Sequence, residues 1–125
     1  QHQFRIKEYF GQINGYIIEA LQSLGVQHLN QQGHSDICLG NCKILGSSMY
    51  RKKDLLFYTA SLMISNDVHE IDRYLKHPSK EPDYRRGRVH TEFVTTIHQE
   101  YPELTVKTVQ NTIDRVFAKC IGEIE

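Results

Sequence analysis

At 125 residues the chain has room for one domain with an ordinary core, and 15 basic side chains set against 15 acidic ones leave no net charge to draw it to a nucleic acid or an anionic membrane. The longest apolar stretch, Leu55 to Ile64, is broken by Tyr58, Thr59 and Ser61 and falls far short of the about 20 residues that a bilayer crossing needs; no stretch reads as a signal peptide. Three cysteines, Cys38, Cys42 and Cys120, are an odd number without disulfide-like spacing, which points to a reducing cytoplasm.

Gln3 to Leu24 reads as one amphipathic helix, because Phe10, Ile13, Ile17, Ala20, Leu21 and Leu24 recur at three- and four-residue steps. Gly25 stands where a helix-ending glycine is expected, and Gly11 and Gly15 leave a smooth face on which another element could sit closely. Val26 to Leu29 is a short strand candidate, followed by a polar loop, Asn30 to His34.

Ser35 to Leu39 and Cys42 to Tyr50 flank the turn dipeptide Gly40-Asn41 and read as a hairpin, with Asp36 and Lys43 on its two arms. Arg51 to Asp54 is a charged turn, and Leu55 to Ile64 suits a third, more buried strand, completing a meander. Lys43 is followed by Gly46, Ser47 and Ser48, so an ammonium stands beside backbone that an anionic ligand could approach closely. The same spacing also describes an ordinary cross-strand ion pair beside a turn. Cys38 and Cys42 with His34 hint at a metal site but lack a fourth ligand, so the two thiols read as small buried hydrophobes.

Ser65-Asn66-Asp67 forms a turn and an N-cap for a helix over Val68 to Leu75, and an irregular loop from His77 to Pro82 leads into Tyr84-Arg85-Arg86-Gly87-Arg88. This basic cluster could hold a phosphate or an acidic carrier protein, or be a solvated loop. His90 to Glu100 reads as a short helix, and Thr105 caps a final helix whose buried stripe is Val106, Val109, Ile113, Val116 and Phe117. These last two helices around Tyr101 to Leu104 also have the outline of a helix-turn-helix, a nucleic-acid reader, although the neutral charge and Asp114 in the second helix speak against that use. The architecture expected is α+β: a small, mostly antiparallel sheet on Ser35 to Ile64 with helices packed on it.

Asp36, the Gly40-Asn41-Cys42-Lys43 turn, Ile44, Gly46 and Ser47 resemble the Asn-Asp … Gly-x-Lys-Ile-x-Gly-Ser-Ala signature of the lipoate-protein ligases, which share a catalytic fold with biotin-protein ligases and octanoyltransferases. Ala60-Ser61-Leu62-Met63 lies where that family has His-Gly-Thr-Leu-Leu, and Tyr84 to Arg88 with Glu92-Phe93-Val94-Thr95 is similar to its Tyr-Arg-x-Gly-Arg … Phe-Val-Thr segment. Ser35 replaces the asparagine before Asp36, Thr59-Ala60 replaces the His-Gly pair, and the upstream Arg-Arg-x-x-Gly-Gly-Gly segment has no counterpart. The resemblance implies a single domain over residues 1–125 that corresponds to the back half of a ligase catalytic domain, a fragment expected to be inactive alone and completed by a homodimer or a companion chain.

It further implies ATP and magnesium as cofactors, lipoate or octanoate as substrate, and the lysine of a lipoyl carrier domain of 2-oxoacid dehydrogenase or glycine cleavage proteins as acceptor. Lys43 would then be catalytic, with Asp36, Gly46, Ser47, Arg85, Arg86 and Arg88 binding substrate or nucleotide. An octanoyl or lipoyl transferase working without ATP fits the same motif, including a route through a thioester on Cys38 or Cys42.

Overall fold

In the computed structural model of the chain, residues 2–67, 69 and 81–120 are described, and these carry a four-stranded antiparallel sheet flanked by helices. Helix α1 (His2–Ser23) leads into a meander of β1 (Leu29–Gln32), β2 (Asp36–Leu39), β3 (Cys42–Lys52) and β4 (Leu55–Leu62), whose spatial order is the sequence order. A 3-10 turn, Asp83–Arg85, precedes two one-turn helices, α2 (His90–Phe93) and α3 (Ile97–Glu100), and α4 (Val106–Cys120) follows.

The repeat of apolar residues in α1 is used as its spacing demands, with Ile13, Tyr16, Ile17, Ala20 and Leu21 buried. Gly25, at φ +92, ends the helix: its amide donates to the Gln22 carbonyl and that of Val26 to Leu21, the paired bonds of a Schellman cap. Gly11 and Gly15 serve no close approach, since a Cβ on either would meet nothing within 4 Å.

Leu21, Ile37, Ile44, Leu45, Ile97 and Val109 are fully buried together, joining α1, the sheet, α3 and α4 in one core. Each such side chain contributes about 1.5–3 kcal/mol of transfer free energy. Tyr16 meets Phe117 edge to face at 5.9 Å where α1 packs on α4, and Phe10 meets Tyr58 at 6.3 Å where α1 covers the sheet.

Several elements depart from expectation. The first strand begins at Leu29 rather than Val26, and the supposed polar loop is itself a strand: Asn30, Gln31 and Gln32 pair with Cys38, Ile37 and Asp36. An outer strand needs only a backbone partner, which polar residues supply as well as apolar ones. β4 is likewise an outer strand, and Leu55 and Phe57 are more than half exposed instead of forming the most buried strand. His90 to Glu100 is not one helix, because Val94 forms a parallel bridge with Lys43 and Thr96 caps a new turn by accepting from the Gln99 amide.

That break also removes the helix-turn-helix. Val106, in the first turn of α4, is exposed, while Thr112 takes a buried place on the inner face. The expected helix over Val68 to Leu75 and most of the loop from His77 to Pro82 lie outside the described residues; Asp67 accepts a hydrogen bond from the His69 amide at 2.9 Å. No helix among the described residues is long and apolar enough to cross a membrane.

Thr105 caps α4 by accepting from the Thr108 amide at 3.2 Å. Thr105→Ala is expected to lower unfolding stability by about 1 kcal/mol in urea titration, with an unchanged denaturant slope.

Candidate active site

The β2–β3 hairpin turns through Gly40 and Asn41, with Gly40 at φ +63 in the first central position, where a type II′ turn needs glycine. Beyond the turn the two strands do not pair residue for residue. Leu39 faces Cys42 and Cys38 faces Lys43, but Ile37 faces Leu45, so Ile44 is an extra residue, a β-bulge.

In regular alternation Lys43 and Gly46, three residues apart, would point to opposite faces. The bulge brings Lys43 onto the face that holds Cys38, Asp36 and Gly46. Hydrogen bonds on the other side of the strand hold the bulge in place, with the Lys43 carbonyl accepting from the Thr95 amide at 3.0 Å and the Ile44 carbonyl from Met63 at 2.7 Å.

On that face the Lys43 side chain folds back over Gly46 and its Nζ lies 3.2 Å from Asp36 Oδ1. A Cβ on residue 46 would come within 3.0 Å of both Lys43 Cε and Nζ, so the bare backbone of Gly46 is the seat of the ammonium. The other carboxylate oxygen, Asp36 Oδ2, accepts from the Tyr84 hydroxyl at 2.6 Å.

Burial and the bond to Asp36 push the Tyr84 phenol far above its ordinary range, and burial also pushes the Cys38 thiol up. Both remain protonated at neutral pH. Phe93 forms the floor, with its ring 5.1 Å from that of Tyr84 and 6.0 Å from Lys43 Nζ.

Lys43 and Asp36 open into adjoining depressions. One of about 690 Å³ is lined by Gln32, Gly33, His34, Glu81 and Pro82 among others, and one of about 410 Å³ by Gly46, Ser47, Ser48, Thr59 and Ser61. Small hydroxyls thus surround a buried carboxylate and a 30% exposed lysine side chain, an arrangement suited to hold an anion against a cation.

Of the residues singled out in the sequence, Lys43, Asp36 and Gly46 are brought into contact. Ser47 lines the second depression, but its hydroxyl donates to the Ser35 carbonyl at 2.6 Å. The arginines separate. Arg85 is 4% exposed, and its Nε donates to the Arg88 carbonyl while Arg88 Nε donates to that of Arg85, each at 2.9 Å. Both guanidinium groups stack on Phe93, at 4.7 and 5.3 Å. Arg86 is exposed and lines a third depression of about 460 Å³ with Gln32, Gly40, Asn41, Tyr84 and Arg88. Tyr84 and Phe93 escaped the sequence reading as site residues; Tyr84 lies 48 positions from Asp36, and no periodicity links them.

A family model for the lipoyl protein ligase A/B catalytic domain matches residues 1–118. The chain belongs to that family. Lipoate-protein ligase 1 of Staphylococcus aureus is 40% identical over 65 residues, which are 51% of this chain and 20% of the relative. A crystal structure of lipoate-protein ligase A bound with ATP superposes with a TM-score of 0.72 at 21% identity, covering 92% of this chain and 46% of that one. A bi-partite lipoate protein ligase from Thermoplasma acidophilum, studied with its E2 lipoyl domain, gives 0.76 at 18% identity over 94% of this chain and 46% of that one. The fold is therefore that of the lipoate-protein ligases, and the chain spans about half the length of the structures it resembles, and less of the relative in Staphylococcus aureus.

Gly46→Ala should displace Lys43 from Asp36 and change the lysine's reactivity toward an acylating reagent, read by mass spectrometry, with a modest fall in melting temperature from the carboxylate oxygen that loses its partner. Tyr84 holds its proton more tightly in the folded chain than at the ordinary phenol value of 10.0, so its stabilising contribution is intact below about pH 10 and is lost as pH rises above that. Tyr84→Phe should accordingly weaken the alkaline decline in stability, measured by urea titration across pH 9 to about 12.

Proposed function

We propose that this chain carries the charge-stabilising part of a lipoate-protein ligase site, in which lipoate or octanoate is activated by ATP and passed to a lysine of a carrier domain. The observation that carries the reading is the Lys43 ammonium seated on Gly46, paired with a buried Asp36 and facing open depressions. Family membership supports the substrate class.

In the first step a carboxylate oxygen of the acid attacks the α-phosphate of ATP. The bond to the β-phosphate oxygen breaks, pyrophosphate leaves, and an acyl-adenylate remains. Two anions must approach each other, and negative charge builds on the phosphorus oxygens; Lys43 lowers that barrier by offering a fixed cation in a partly desolvated place. In the second step the neutral amine of the carrier lysine attacks the acyl carbonyl, AMP departs, and the amine loses a proton as the amide forms. Lys43 would then face the oxyanion of the tetrahedral intermediate.

Asp36 keeps the ammonium in position, Gly46 gives it room, and Ser47 and Arg86 border depressions suited to acyl and nucleotide groups. Arg85 and Arg88 act indirectly, by holding the loop that carries Arg86. Magnesium accompanies nucleotides in such chemistry, but both oxygens of Asp36 are already engaged, and no three His, Cys, Asp or Glu side chains converge among the described residues. The residues therefore do not suit a protein-held ion. A cysteine route through Cys38 is disfavoured by its burial and raised pKa, since the thiolate is the reactive form.

Among the described residues nothing pairs beyond β4, and Tyr50, Leu55 and Phe57 nearby are each more than half exposed, which supports completion of the sheet by a second copy or a companion chain. Three cysteines, an odd number without disulfide-like spacing, support a reducing, cytoplasmic setting.

ATP-pyrophosphate exchange driven by lipoate or octanoate tests the reading, with light scattering to report assembly. Exchange is expected from the assembled enzyme, and Lys43→Ala should reduce it by about 10²–10³-fold, more than the modest fall in melting temperature from unpairing Asp36 accounts for. Undiminished exchange in that variant removes the catalytic role, and exchange by a monomer of this chain removes the need for a partner.

A further inference from the structure

Lysine and aspartate alone do not account for the placement of the pair. A buried carboxylate has two oxygens that compete for the same ammonium, and an oxygen left without a donor in such a place is destabilising. Here each oxygen has its own donor: Lys43 Nζ on Oδ1 at 3.2 Å and the Tyr84 hydroxyl on Oδ2 at 2.6 Å.

We propose that Tyr84 is a positioning residue of the site: its hydroxyl fixes the rotation of the Asp36 carboxylate, so that Lys43 has one stationary partner and its ammonium stays over Gly46, facing the depressions. The catalytic meaning of this inference rests on the proposed function, and its structural part does not. Tyr84 is suited to the task because its raised pKa leaves it a proton donor throughout the working pH range.

The mount of Tyr84 gives the basic cluster a purpose other than anion binding. Arg88 Nη2 donates to the Tyr84 carbonyl at 2.9 Å, and Arg85 and Arg88 clasp each other's carbonyls. Both arginines and the Tyr84 ring lie against Phe93, which is also the floor beneath Lys43. Arg86 at φ +55 and Gly87 at φ +72 turn the chain sharply after Tyr84, and the Gly87 amide donates to the Glu81 carboxylate. A loop 48 positions downstream is thereby fastened so that one hydroxyl meets one carboxylate oxygen.

Tyr84→Phe removes the hydroxyl and keeps the ring on Phe93. In the ¹⁵N-labelled chain, the Lys43 ammonium is expected to be separately resolved and slow in hydrogen exchange relative to the exposed Lys52 and Lys53, and Tyr84→Phe should bring it close to theirs. In the enzyme assembled for pyrophosphate exchange, Tyr84→Phe should lower kcat by about ten- to a hundredfold, the range seen when an orienting partner is removed, with KM little changed. Combined with Asp36→Asn, it should add nothing to the loss from Asp36→Asn alone.

A Lys43 ammonium as labile as Lys52 in the unsubstituted chain, one that stays slow in Tyr84→Phe, or full additivity of the two substitutions overturns the inference. Retained exchange in Lys43→Ala instead overturns the proposed function while the Lys43 resonances still decide the role of Tyr84.

Discussion

The site depends on a lysine side chain lying back along its own strand, over a residue that has no side chain. That is possible only because Ile44 is an extra residue opposite β2, which turns Lys43 to the face of Asp36 and Gly46. The bulge is held from behind: Ile44 and Leu45, neighbours in sequence, are both fully buried, and the strand's outward carbonyls are taken by Met63 and Thr95. The core thus sets the direction of the ammonium. Apolar burial on one side of β3 and an ion pair on the other are two consequences of one irregularity.

The arginines illustrate how a charged sequence can serve order. Each of Arg85 and Arg88 satisfies a carbonyl of the other and stacks on Phe93, so the loop Asp83 to Arg88 is fastened without a helix or strand of its own. An arginine suits this better than a lysine because its planar, multiply donating group can bond and stack at once. Arg86, between them, is left facing solvent.

The sheet is unevenly covered. Its inner face and the β2–β3 region are packed by α1, α3 and α4, whereas β4 ends the sheet among the described residues, with Tyr50 and Phe57 paired in the exposed surface at 6.5 Å.

Much of this was legible in sequence. The three- and four-residue spacing of α1, the Gly40-Asn41 turn, the Thr105 cap and the proximity of Asp36 and Lys43 all follow from local rules, because each concerns residues that meet through a turn or one helical face. The motif around Lys43 also pointed to the right family. Local rules failed where a partner distant in sequence decided the outcome. Polar Asn30 to Gln32 became a strand because β2 lay beside it, and His90 to Glu100 broke because Val94 joined the Lys43 strand. β4, apolar in composition, stayed exposed because among the described residues nothing pairs beyond it. Sequence by itself determined which residues could form a turn, a helix face or an ion pair. Only the tertiary structure decided which face Lys43 would occupy, that Tyr84 would meet Asp36, and that two of three arginines would turn inward, since each depends on long-range packing that no local period encodes.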